Sequence, residues 1–65
     1  MMGSSYIITW IEGDESAPTV RTRWTIEEAY QMAFACIDAG KASVSLTHPT
    51  GEVQRHEQLA SLRPS

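Results

Sequence analysis

The stretch Thr25-Ile26-Glu27-Glu28-Ala29-Tyr30-Gln31-Met32-Ala33-Phe34-Ala35-Cys36-Ile37-Asp38-Ala39-Gly40-Lys41 decides how this chain folds. Thr25 is a preferred N-cap type and Glu28 stands three positions later, the reciprocal pairing of a capping box. Glu27 and Glu28 put negative charge in the first turn, where the helix dipole favours it. Gly40 suits the left-handed residue that closes a helix, and Lys41 follows it. The spacing predicts a helix from Ile26 to about Ala39. At ~100° per residue, Ile26, Ala29, Tyr30, Ala33, Cys36 and Ile37 share one face, with Met32 and Phe34 on its opposite flanks. Together they widen the apolar arc to roughly 200°, more than one sheet covers.

On the N-terminal side, Tyr6 to Glu12 is rich in strand formers. A polar loop from Gly13 to Pro18 separates it from Thr19 to Trp24, which alternates: Val20, Thr22 and Trp24 on one side, Thr19, Arg21 and Arg23 on the other. These two segments read as a hairpin. On the C-terminal side, Ala42 to His48 places Val44 and Leu46 inward and Ser43, Ser45 and Thr47 outward. His48-Pro49-Thr50-Gly51 fits a type I turn, which would pair His48 with Val53. Glu52 to about Glu57 then reads as a weak edge strand with Val53 as its only apolar anchor. The tail from Gln58 to Ser65 offers Leu59 or Leu62 for packing before Pro64.

The fold class expected is α+β: a two-layer ββαββ domain, with a four-stranded, mainly antiparallel sheet and one helix packed on one face. Residues 6–59 form that single domain, between a disordered N-terminus at 1–5 and a frayed tail at 60–65.

A chain of 65 residues encloses one small core and is only marginally stable without a staple or a partner. Cys36 is the sole cysteine, so no internal disulfide exists. Cys36, His48 and His56 have no zinc spacing, and no cofactor motif occurs. The net charge of −3 argues against general nucleic-acid binding, which needs a basic surface. No apolar run approaches the ~20 residues of a membrane span, and no signal peptide is evident. The free thiol and missing export signal point to the cytoplasm.

Catalysis is not expected. Cys36 lies on the apolar helix face, where a small hydrophobe belongs. The eight carboxylates are scattered through loops, helix ends and the last strand, without a converging acid–base pair.

The surface singled out for function is the face of the sheet away from the helix. With Ile7, Thr9 and Ile11 turned to the helix, Tyr6, Ile8 and Trp10 face outward beside Arg21 and Arg23. Ser43, Ser45, Thr47, Gln54 and His56 complete that face. The opposite register buries Trp10 and exposes the isoleucines. Aromatic and arginine side chains are favoured at protein interfaces, and single-stranded nucleic acid also stacks on them. A second surface is the helix flank carrying Met32 and Phe34, which a homodimer would bury.

The order hairpin, helix, hairpin, with the Thr25/Glu28 cap and the Pro49-Thr50-Gly51 turn, resembles several tiny bacterial domains of unknown function. With its Tyr6-Ile7-Ile8 opening, it also resembles some small phage-encoded inhibitors of host defence complexes. The resemblance is architectural, implies a binding protein, and carries over no residue role. The functional expectation is a non-catalytic protein–protein interaction module, with a homodimer as one form. Tyr6, Trp10, Arg21, Arg23, Met32 and Phe34 are the candidate contacts. The alternatives are a phage- or mobile-element-encoded inhibitor and a single-stranded nucleic-acid-binding domain. No small-molecule substrate, cofactor or membrane partner is expected.

Overall fold

The computed structural model describes residues 5–13 and 16–63. Expectations for residues 1–4, for Asp14 and Glu15 in the first loop, and for the last two residues of the tail lie outside the described residues. The elements run β1 (Tyr6–Ile11), β2 (Thr19–Arg23), α1 (Ile26–Asp38), β3 (Ala42–Thr47), β4 (Val53–Gln54) and α2 (His56–Leu62). The strands form one sheet in the order β2-β1-β3-β4, antiparallel at every neighbour pair. The α+β class and the four-stranded sheet are as expected, but the described residues form two helices rather than one.

Helix α1 begins at Ile26 as its residues predict, with the Thr25 half of the expected capping box and without the return bond from Glu28. Thr25 is extended and its Oγ1 accepts a hydrogen bond from the Glu28 amide at 3.2 Å. At the other end, Gly40 donates to the Ile37 carbonyl and Lys41 to the Cys36 carbonyl, the paired bonds of a Schellman closure. That closure needs a left-handed residue, and Gly40 supplies it with φ +81°.

The last element corrects the sequence reading. The segment Glu52 to about Glu57 is not a full strand: β4 stops at Gln54, and residues 56–62 are helical. Arg55 has extended backbone, and its amide donates to the Gln58 side-chain oxygen at 3.0 Å. Gln58 thus caps the helix from its third position, and strong helix formers follow it. Leu59 is fully buried with Val44 and Leu46 of β3 and Ala29 and Ala33 of α1. Residues 60–62, expected to fray, belong to α2. An Arg63–Asp38 ion pair of 2.8 Å joins the C-terminal ends of the two helices. This second helix meets the Phe34 flank and so accounts for the surplus width of the apolar arc on α1.

The second hairpin also shifts by one residue. Gly51 donates to the His48 carbonyl as a type I turn requires, and His48 donates to the Glu52 carbonyl. Gly51, at φ +98°, adds a residue to the loop, so that Thr47 rather than His48 pairs with Val53.

Candidate functional site: the open face of the sheet

Cross-strand partners point to the same side of a sheet, so the register assigns each residue to a face. Ile8 pairs with Arg21 on one side and Leu46 on the other, and Leu46 pairs with Gln54. Ile8, Leu46 and Val44 are buried under the helices. The covered face therefore carries Tyr6, Ile8 and Trp10 of β1. Of the two registers the sequence allows, this is the one that buries Trp10 and exposes the isoleucines, so the outward face with Tyr6, Ile8 and Trp10 does not form. The physical reason is the content of the two sets: Tyr-Ile-Trp buries more apolar area than Ile-Thr-Ile and does not strand the Thr9 hydroxyl in the core. Trp10 is only 6% exposed.

The arginines move with it. Arg21 and Arg23 pair with Ile8 and Tyr6 and so belong to the helix side. The Arg21 guanidinium lies 6.0 Å from the centre of the Trp10 ring. Arg23 borders a shallow depression with Glu28, Gln31, Met32 and Ala35 of α1. Both arginines fold back on their own strand: Arg21 donates to the Val20 carbonyl at 2.9 Å and Arg23 to the Thr22 carbonyl at 2.7 Å. Strand β2 is an edge of the sheet, and charged groups held over its carbonyls discourage another strand from pairing there.

Of the six candidate contacts, Tyr6, Trp10, Arg21 and Arg23 share the helix side of β1 and β2, with Arg21 over the Trp10 ring and Arg23 opposite Tyr6 and beside Met32. Phe34 lies on the opposite flank, stacked on Tyr30 with ring centres 5.5 Å apart, and borders a depression completed by Leu62 of α2. Tyr6 packs edge-on against His48, with centres 5.4 Å apart. The six do not form one continuous surface.

Gln54 and His56, expected on the outer face, are also drawn inward. The Gln54 side-chain oxygen accepts from the Tyr30 hydroxyl and from His48 Nε2, each at 2.7 Å. His56 lies in α2, where its Nδ1 accepts the Val44 amide at 3.1 Å. That amide is free because β3 is irregular there: Ser43 has φ +53°, and the register slips between Thr9 and Ile11. The imidazole thus completes the hydrogen bonding of a bulge.

At the far end of β1, Lys41 bonds and pairs with Glu12. That hydrogen bond, then the Lys41 charge, holds the Glu12 carboxyl below the usual carboxylate range. Among the described residues the buried Trp10 indole N–H has no acceptor at hydrogen-bond distance, and it contributes a smaller lowering at Glu12. Desolvation pushes the Cys36 thiol up, despite the nearby Lys41 charge. A protonated, buried thiol is a poor nucleophile. Among the described residues, no group of three His, Cys, Asp or Glu side chains is placed to hold a metal. No described helix is long and apolar enough to cross a membrane.

What the described residues leave uncovered is the other face of the sheet. One row across it is Thr22, Ile7, Thr47 and Val53, and the next is Val20, Thr9 and Ser45. Alternation adds Ile11 beyond them. Every side chain in these rows is uncharged. Ile7, Val20 and Val53 are 37%, 51% and 45% exposed, and Trp24, just past β2, is 68% exposed. Arg55 stands at the rim beside Ser43 and Ser45. At the centre, the Thr9 and Ser45 hydroxyls hydrogen-bond to each other at 2.6 Å. The sequence places Ser45 and Thr47 on this face and offers its isoleucines in one of two registers, but gives no sign of Val20 and Val53 there. The isoleucines belong to the second register of β1 that the sequence allows, and Val20 and Val53 follow from it by pairing.

Comparison with known proteins finds no matching family model, no matching curated protein and no matching solved structure.

Proposed function

We propose that this chain is a small interaction module that docks another protein chain on the open face of its sheet. The observation that carries this reading is the composition of that face: β-branched and hydroxyl side chains, with no charge in either row. A solvated outer face of an antiparallel sheet is ordinarily polar and charged. Depletion of charge at the centre, with a polar rim, is the pattern of interface cores. Arg55 at the margin fits that rim.

Single-stranded nucleic acid is the weaker reading. Its stacking platforms combine aromatic side chains with a basic groove, whereas Tyr6, Trp10, Arg21 and Arg23 all belong to the helix side. Affinity capture with the intact chain, repeated after nuclease treatment and with Val20→Lys and Val53→Lys, tests the proposal. The account expects a nuclease-resistant protein partner that both variants lose while keeping wild-type circular dichroism. Capture unaffected by both variants, or abolished by nuclease, would overturn it.

A further inference from the structure

We propose that the occupant of the open face is a second copy of this chain. The two sheets stack face to face about a twofold axis passing near Thr9 and Ser45. This inference rests on the reading of that face as the docking surface, and it names the partner.

Charge is the first argument. Each chain carries a net charge of −3, so two copies repel wherever their charged surfaces meet. The open face offers two paired rows without a charge, so two copies brought together there juxtapose no like charges at the centre of the contact.

Polar satisfaction is the second. Thr9 and Ser45, at the middle of the face, already hydrogen-bond to each other. That bond satisfies one of their two O–H donors, so covering the pair carries one fewer of the ~1–3 kcal/mol penalties that a buried orphan donor costs.

Area is the third. The strands are six, five, six and two residues long. At ~3.3 Å per residue and ~4.8 Å between strands, their footprint is about 300 Å² per copy. Side-chain relief brings the burial in two copies to the order of 1,000 Å², the lower bound for a specific interface. A dimer of that size is weak, with a Kd in the micromolar range or above, and the face is too small to hold a much larger assembly.

The competing route, edge-to-edge pairing through β2, is obstructed. Arg21 and Arg23 hold their guanidinium groups on the Val20 and Thr22 carbonyls of that edge, and antiparallel pairing of two β2 strands would set these cations against one another. Stacked sheets, by contrast, need only two flat inner faces ~10 Å apart at ~30°. The result is a four-layer arrangement with the helices outside and a second apolar layer between the sheets.

Sedimentation equilibrium of the intact chain, from about 10 μM to about 1 mM, tests this over the affinity range expected for a small interface. The average mass is expected to rise from 7.2 kDa toward twice that value. Val20→Lys and Thr9→Arg, each checked for wild-type circular dichroism, are expected to weaken the association at least tenfold. A mass constant at 7.2 kDa across the range would overturn self-pairing. It would leave the docking reading to stand or fall on the capture experiment with Val20→Lys and Val53→Lys. Self-association that both folded variants retain would overturn the open face as the contact between copies, and with it this inference, while the docking reading again rests on the capture experiment.

Discussion

Replacing Leu59 by alanine should test the second helix more severely than any other single change. Leu59 is the one buried residue of α2 and is completely enclosed among Val44, Leu46, Ala29 and Ala33. Leu→Ala at such sites costs about 2–5 kcal/mol, from lost transfer free energy and the cavity left behind. A domain of 65 residues has a total stability of about 3–10 kcal/mol at the usual ~0.05–0.15 kcal/mol per residue. A loss near the middle of the range, ~3 kcal/mol, is therefore a large share of the whole. With an unfolding entropy of ~2.1 cal/mol/K per residue, it lowers Tm by about 20 °C. The control is Leu62→Ala, three residues on and 53% exposed, which should stay within about 0.5 kcal/mol of wild type. Urea and thermal denaturation followed by far-ultraviolet circular dichroism measure both. A Leu59→Ala variant as stable as Leu62→Ala would refute the argument that α2 is held by one buried leucine.

Four further outcomes follow from the same geometry. His56→Ala leaves the Val44 amide without its acceptor and should cost about 1–3 kcal/mol, read as faster hydrogen exchange at that amide and a lower urea midpoint. Glu12, whose pKa is lowered on folding by Lys41, contributes stability that is present above the usual carboxylate range and lost as pH falls through the lowered value. Stability measured against pH should therefore fall less steeply on the acid side in Glu12→Gln. Cys36, buried and with its thiol pKa raised, should react with a thiol-specific disulfide reagent only on unfolding; rapid labelling of the native chain would contradict its core placement. Gly40→Ala places a Cβ at φ +81° in open space, so its cost should be the ~1–2 kcal/mol of a left-handed non-glycine residue and no more, measured by urea titration.

How legible this protein was in its residues varied along the chain. The α1 helix was fully written in Thr25, Glu28 and Gly40, because capping is local chemistry decided within four or five positions. Inward placement of Val44 and Leu46 was equally plain, since their neighbours are serines and a threonine. Strand β1 was ambiguous because both of its faces are apolar. Its register is decided by comparing Trp10 with Thr9 and by the partners β3 supplies, which no window of six residues contains. The error carried Arg21 and Arg23 to the wrong side, since they follow β1 by pairing, and it exchanged the contents of the open face. Helix α2 was missed because seven residues hold barely two turns, and Leu59 becomes its anchor only when α1 and β3 are in place. The excess apolar width of α1 was a visible sign that something else had to cover it.

Contact through the open face can be observed at single methyl groups. Methyl-selective ¹H–¹³C spectra of the isoleucines and valines, recorded as the chain is concentrated and again with any captured partner, read this residue by residue. Shifts are expected at Ile7, Val20 and Val53, with Ile8 and Val44 unmoved beneath the helices. Shifts confined to the Met32 and Phe34 flanks of α1, with the three open-face methyl groups unchanged, would contradict contact through the open face.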